Sequence, residues 1–524
     1  MKKLISGKKS ALYASALAVL MQPMIANAGE VTLKSSDGTV NITGEFLEFK
    51  DDNYVVRTPL GDLRISASRV RCEGSDCPTF DVTESTIHFT GSDTVGLGIM
   101  PLLLSGYAAE LNAEISIANT QTKDEVMADF VGDEGYGDEI GSYLVSSKST
   151  GTGFKTLLDD SGIVAMASRR IKPQEARSLR AAGKGNMIST GQEHIIAVDS
   201  LVLIVNQKNG VEELSIADLQ GIYSGAITNW SQLGGEDMPI HVVTRKEGSG
   251  TLGVFQKRIF GKDAPAAPEG ASALGSNVEV ASMVNAEDGA IGFVGYAFVR
   301  GAKPLNLVSE CGIPATPDPF SAKTEEYPLQ RRLYLYNVEN PSEDIKKFIE
   351  YSKSEAADGV IAKSGFIDLG VLSRDQSMDS PRATMLLNAD VDAFEGNLIR
   401  EMMAEMVKSN RLSSTFRFRT GSSKLDERGQ LEMERLADYL KDQPEGTKVT
   451  MVGFTDTVGA FAANRTLSVN RAEQVIKFLQ DNAPDRTAHI TFAANGFGEI
   501  SPSACNTSDN GRGINRRVEV WVTK

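Results

Sequence analysis

Three stretches of the chain repeat one local design: an apolar strand, a turn of small residues, then an amphipathic helix. They are "IHFTGSDTVGLGIMPLLLSGY" from Ile87, "SSKSTGTGFKTLLDD" from Ser146 and "TRKEGSGTLGVF" from Thr244. Leu97, Met100, Leu104, Tyr107 and Leu111 recur at helical spacing after the first turn. Phe154, Leu157 and Leu158 do so after the second, and Leu252, Phe255 and Ile259 after the third. Strands alternating with such helices build parallel βαβ units, so residues 83–375 are expected to form an α/β domain.

The turns themselves carry chemistry. A helix N-terminus presents unpaired N–H groups and the positive end of its dipole. Gly or Thr at that point lets an oxyanion approach the backbone, and a hydroxyl adds a further donor. Taken singly, each turn reads as an ordinary Ser/Thr/Gly cap. Three in one domain, one of them carrying Arg245 as a charged and bidentate donor, point to an anion cage.

The flanking segments differ in pattern. Residues 29–80 alternate with period two between Asp-Gly, Asp-Asn and Gly-Asp turns, which predicts a small antiparallel β module. Cys72 and Cys77 in "RCEGSDCP" are read there as a local disulfide, with free thiols as the alternative. Cys311 and Cys505 fall in different expected domains and are expected to stay reduced. Residues 376–411 begin polar and turn helical, which reads as a linker leading into a helix. Residues 412–524 return to a compact α/β pattern, with a helix through Met433, Leu436, Ala437 and Leu440 and a closing strand "RRVEVWVT".

Residues 1–28 join four lysines to an apolar run and end in Ala-Asn-Ala, the pattern of a secretory signal peptide. Removal of those four lysines, with no acids among them, takes the formal charge from −15 to −19. Such acidity excludes nucleic acid as the natural partner. The four histidines, His88, His194, His241 and His489, lie far apart in sequence, so no metal and no cofactor are expected.

Residues 85–370 resemble the phosphate-binding proteins of ABC transporters. The resemblance is carried by "GSDTV", "STGTGFKTLLDDSGIVAMASRRI", "AVDSLVLIVNQKNGVEELSIADLQGIYSGAITNWSQLGG" and "TRKEGSGTLGVF", in that order. It implies a type II periplasmic-binding-protein fold, two α/β lobes closing over phosphate or a related oxyanion at a hinge. It implies anion contacts from Thr94 and Val95, from Thr150, Gly151 and Ser168, and from Arg245, Ser249, Gly250 and Thr251. Glu247 matches a family carboxylate that steadies the arginine. Arg169 stands where the best-known phosphate binders have an aspartate. Pointing inward it would loosen phosphate-over-sulfate discrimination; the alternative pairs it with an acid while Asp93 or Glu247 accepts the ligand's proton.

In the C-terminal unit, "GFTDTVGAFAANRTLSVNRA" sets an acid at a strand end and an arginine fifteen residues on, within a helix. By composition alone this is a structural salt bridge. Its wording, with "FRFRTGSSKL", "NGFGE" and "NGRGINRRVEVWV", resembles the OmpA-like peptidoglycan-binding domain over residues 414–524. That resemblance implies Asp456 on the amine and Arg471 on the carboxylate of a diaminopimelate stem residue, with Thr455 and Asn464 shaping the pocket. Arg517 is implied as a structural or secondary contact.

The chain therefore reads as a secreted, wall-associated binding protein of the periplasm or outer membrane, with an ABC permease or envelope sensor as a further partner. The alternative is an envelope-organising adaptor whose lobes contact a protein. A hydrolase is disfavoured, since no nucleophile elbow or metal-ligand cluster is visible.

Overall fold

The period-two alternation near the N-terminus becomes a five-stranded antiparallel sheet. Its strand Glu30–Ser35 lies between Asn41–Lys50 and Val70–Glu73, and Asn53–Thr58 and Gly61–Ser66 extend it. One face buries Val31, Leu33, Tyr54 and Val56. The computed structural model describes residues 29–35, 39–80, 82–160, 162–389, 391–418 and 427–524, the side chains of 427, 428 and 430 apart. The signal peptide read at residues 1–28 lies outside the described residues. Cys72 and Cys77 form the expected disulfide. The small sheet leans on the edge strand Glu114–Asn119 of the next unit, where Asn119 Nδ2 donates to the Ala67 carbonyl at 2.9 Å.

The central unit is one eleven-stranded sheet running through two lobes. The long strand Glu193–Val205 belongs to both. It pairs with Gln330–Asn337 over residues 193–200 and with Ala290–Gly295 over residues 201–205. One lobe continues through Val164–Ala167, Ile87–Ser92 and Glu139–Lys148, the other through Ala290–Gly295, His241–Arg245 and Ser272–Leu274. Ile87–Ser92 pairs in parallel with both of its neighbours, as βαβ units require. So does His241–Arg245. The three turns singled out from sequence leave the ends of these strands and enter helices Asp93–Gly96, Thr150–Leu158 and Gly250–Ile259. The first helix is shorter than its periodicity suggests. It stops at Gly96 and a second begins at Met100, because Pro101 at the new helix's first turn is compatible with a start and not with an interior.

The C-terminal sheet orders Ser373–Asp375, Ser409–Arg417, Arg517–Thr523, Lys448–Gly453 and Thr491–Gly496. Helices Glu427–Lys441 and Phe461–Asn482 belong to the same unit. Residues 376–411, read from sequence as a linker leading into a helix, instead hold two helices, Pro381–Leu387 and Ala393–Met406. Their Leu386, Ile399, Met402 and Met406 pack against Phe454, Phe497 and Trp521. Burial of those apolar faces removes the solvated tether that the polar start of the segment suggested.

Cys311 and Cys505, expected to remain thiols, are joined. Their Cα atoms stand 5.7 Å apart although 194 residues separate them in sequence. Beside the disulfide, Arg411 reaches Glu326 at 2.7 Å and Arg417 reaches Glu325 at 3.0 Å. Glu519, fully buried, takes Arg382 at 2.9 Å, Arg411 at 3.1 Å and Arg517 at 2.7 Å. Ion pairs this deep hold only with several partners on each charge, and the two units are clamped through them.

Candidate functional site

Strand ends and helix starts from both lobes meet at the hinge. The expected caps are real: Ser149 accepts from Thr152 N at 3.2 Å and Ser249 from Leu252 N at 3.3 Å. These seat Thr150 and Thr251 in the first helical turns, both fully buried. Thr94 Oγ1 lies 3.4 Å from Thr251 Oγ1 across the cleft. Thr150 Oγ1 lies 3.3 Å from Ser168 Oγ and accepts from Ser168 N at 3.1 Å. Gly250 abuts this pair so closely that a Cβ there would collide with both oxygens. Gly151 N donates to the Gly248 carbonyl at 3.4 Å, a lobe-to-lobe bond that uses this N–H within the protein. Val95 is buried in the hydrophobic core beneath the turn.

Arg245 is 2 % exposed. Its Nη2 lies 3.1 Å from Asp93 Oδ2 and donates to the Gly275 carbonyl at 2.7 Å, while Nε reaches the Leu274 carbonyl at 3.4 Å. Its Nη1 is buried and has no hydrogen-bond partner among the described residues. A buried guanidinium N–H left unmade is costly, which marks it as a donor awaiting an acceptor. Asp93 Oδ2 also accepts from Asn277 Nδ2 at 3.0 Å and Asn277 N at 3.3 Å, which fastens one lobe to the other.

Two expectations change here. Glu247 does not steady Arg245; it is exposed, and Asp93 takes that place. Gly248 at φ +86° turns the chain after it, carrying the Glu247 side chain away from the strand face that holds Arg245. Arg169 does not point inward. It forms a bidentate pair with Glu175 at 2.7 and 2.9 Å and stacks near Phe154, as the alternative reading had it.

Sequence reasoning missed Arg331. On the hinge strand Gln330–Asn337 it is held by Asp199 of the other hinge strand, at 2.8 Å from Nε and 2.7 Å from Nη2. It also reaches Thr251 Oγ1 at 2.6 Å and Thr94 Oγ1 at 3.3 Å. Burial pushes the Arg331 guanidinium down and the Asp199 carboxyl up, and each offsets the cost by facing the other. The signal available was a pair of arginines inside an otherwise apolar strand, "QRRLYLYN".

The second cluster lies in the C-terminal unit. Asp456 and Arg471 are both buried. Asp456 Oδ2 accepts from Arg516 Nη1 at 2.6 Å and Oδ1 from Val458 N at 3.2 Å. Asn464 Nδ2 bridges the Asp456 carbonyl at 3.2 Å and Glu499 at 2.5 Å. Thr455 N donates to the Gly498 carbonyl, and its hydroxyl is buried with no partner. Arg471 Nη1 donates to the Phe454 carbonyl at 3.5 Å beside the Phe418 ring. Burial lowers its guanidinium to about 10, helped by Arg516 and opposed by Asp456. The cation on Asp456 is thus Arg516, while Arg517 is turned to Glu519 in the sheet core, a structural role.

These features define a two-lobed α/β binding fold with a polar hinge cleft, followed by a second α/β unit with its own acid–arginine cluster. Residues 105–356 match the model of a PBP superfamily domain, and residues 417–516 match that of the OmpA family. The phosphate-binding protein PstS of Bacillus subtilis (strain 168) is 31% identical over 176 residues, covering 33% of this chain and 57% of the relative. That of Staphylococcus aureus (strain MRSA252) is 29% identical over 224 residues, covering 41% of this chain and 66% of the relative. The chain thus spans less than two thirds of the length of either relative. A phosphate ABC transporter substrate-binding protein with bound phosphate from Clostridium perfringens aligns with 25% identity and a TM-score of 0.42, over 54% of this chain and 99% of that one. An ABC-type phosphate transport receptor from Vibrio cholerae aligns with 28% identity and a TM-score of 0.39, over 54% and 99%.

Proposed function

We propose that this chain binds phosphate, or a closely related tetrahedral oxyanion, in the hinge cleft and is held non-covalently to peptidoglycan by its C-terminal unit. The observation that supports the first half is Arg245, a buried cation with an N–H that has no partner among the described residues, in the same hinge region as the buried hydroxyls of Thr94, Thr150, Ser168 and Thr251. Only a glycine at position 250 lets the Thr150 and Ser168 hydroxyls come so close to the backbone. The reading is of capture and not turnover, supported by the similarity to phosphate-binding proteins. Work is divided among the units read from sequence: residues 83–375 bind the anion and residues 412–524 grip the wall. The β module of residues 29–80 packs on the outer lobe edge.

In the wall cluster, the amine of a diaminopimelate residue replaces Arg516 at Asp456, and its carboxylate meets Arg471. The exchange substitutes one cation for another at a carboxylate that is already desolvated, so it does not add a new burial cost. The kinship with phosphate-binding proteins and with the OmpA family supports an envelope location. Delivery to a permease or a sensor would follow lobe closure. Thermal melting of the ligand-stripped protein tests the binding half. Phosphate at about 100 times its Kd should stabilise the protein by about 2.7 kcal/mol, and an unshifted melt at millimolar phosphate would refute it. Co-sedimentation with purified sacculi tests the other half.

A further inference from the structure

Arg331 sits on Gln330–Asn337, which pairs with the strand shared by the two lobes, and touches one hydroxyl from each lobe. Its Nη2 donates to Thr94 Oγ1 at 3.3 Å and its Nη1 to Thr251 Oγ1 at 2.6 Å. Thr94 Oγ1 accepts a second bond, from Asn277 Nδ2 at 3.1 Å. A hydroxyl has one proton and two lone pairs. Thr94 Oγ1 has therefore spent both lone pairs on protein donors, so in its 3.4 Å contact with Thr251 Oγ1 it is the donor. Thr251 Oγ1 then has both lone pairs taken, by Arg331 and Thr94, and what the pair has left to offer is the Thr251 proton. Arginine supplies only donors, so it cannot reverse this arrangement. Asp199 fixes the guanidinium in plane from the second hinge strand, with Asp199 Oδ1 accepting from Tyr296 N at 3.1 Å.

We infer that Arg331 is a positioning residue that, by filling lone pairs on both Thr94 and Thr251, leaves the Thr251 hydroxyl an obligate donor, so that the cleft selects the more deprotonated form of its tetrahedral ligand. The inference rests on the anion-binding reading above and names the ionic form taken. Together with the Arg245 Nη1, the cleft presents donors where a protonated oxygen of the ligand would itself need an acceptor. A dihydrogen phosphate brings two protons to such a wall, and a hydrogen phosphate brings one. The geometry also makes this donor depend on closure, because Thr94 and Thr251 come from opposite lobes and meet Arg331 together only when the lobes are shut.

Three other charged groups act on Arg331: Asp199 from the neighbouring hinge strand, Asp93 from the first turn and Arg245 from the opposite lobe. The nearby Tyr327 phenol is kept neutral by burial. A pH effect on binding must be separated from these, and the variants do so.

The experiment is calorimetric titration of the full chain with inorganic phosphate from about pH 5.5 to about pH 8.5, across the second ionisation of phosphate. The wild-type affinity should rise with pH. In Arg331→Lys a single ammonium replaces the two-pronged fork. It cannot hold both hydroxyls, so affinity at the alkaline end should fall by roughly tenfold or more. The freed hydroxyl can now accept from a protonated ligand, so the rise with pH should flatten. The double variant Arg331→Leu/Asp199→Asn removes the buried charges together and guards against a folding defect from an unpaired Asp199; it should flatten in the same way. Each variant is melted without ligand beforehand. A loss of equal size at every pH, or no loss, in a folded variant would overturn the inference and leave the binding reading intact. A wild type that takes no phosphate at any pH would overturn both.

Discussion

Truncating Arg245 to alanine separates what the cleft does for binding from what it does for folding. In the folded protein the side chain closes the Asp93 contact at 3.1 Å and a carbonyl contact at 2.7 Å, and offers Nη1 to the ligand. Asp93 retains two bonds from Asn277 when the guanidinium goes, so it is not stranded. The folding cost should therefore sit near the low end of that for breaking a buried pair, about 3 kcal/mol. On the binding side, loss of a desolvated charge-assisted contact is worth about 2–5 kcal/mol. At 1.4 kcal/mol per tenfold this is a rise in Kd of roughly 30- to 4,000-fold. Calorimetry with phosphate reads the second term, and guanidinium unfolding without phosphate reads the first. Arg245→Lys should recover charge but not the fork, and should fall between the two. A folded Arg245→Ala protein that binds phosphate with wild-type affinity would refute the assignment of Nη1 to the anion.

Further consequences are checked more simply. Asp456→Asn should release the protein from purified sacculi while leaving phosphate affinity unchanged, and a parallel loss of both would contradict separate sites. Reduction of Cys311–Cys505, or the Cys311→Ser/Cys505→Ser variant, should lower stability by about 2–4 kcal/mol because that crosslink closes a long loop. Opening Cys72–Cys77, which spans five residues, should cost less. Acid should loosen the clamp between the units. Burial pushes the Glu326 carboxyl up, but Arg411 and Arg517 outweigh it and hold it at about 2. A carboxylate depressed in the folded state contributes stability that is complete above its ordinary value near 4.5 and is lost as pH falls toward about 2. Glu519 is held far below its ordinary range by Arg382, Arg411 and Arg517 against the effect of burial, and adds a loss of the same sign. Glu326→Gln should flatten this acid limb in a pH-dependent unfolding series.

How far the sequence announced this depends on whether a residue's partner was near it in the chain. The strand–turn–helix units could be read because the caps Ser149 and Ser249 act within three residues of themselves. Thr94, Thr150 and Thr251 were named by the resemblance of those turns to phosphate-binding proteins. Arg331 could not be found that way. Its partners, Asp199, Thr251 and Thr94, lie 132, 80 and 237 residues away, and the following Arg332 points from the opposite strand face to Glu325. Glu247 was named by its match to a family carboxylate, whereas Asp93, 152 residues from Arg245 in sequence, reaches it only across the two lobes. The Cys311–Cys505 bridge was missed because docking of the two units was not visible in either one alone. Residues 376–411 looked like a linker since Leu386 and Met402 become core only after Phe454 and Trp521 arrive from elsewhere.

The most direct test is calorimetric titration of the protein, freed of bound ligand by partial unfolding and refolding, with phosphate at neutral pH. Saturable binding at one site per chain, at micromolar Kd or tighter and lost in Arg245→Ala, is the predicted result. No heat and no saturation with phosphate, in a protein that melts cooperatively, would contradict it.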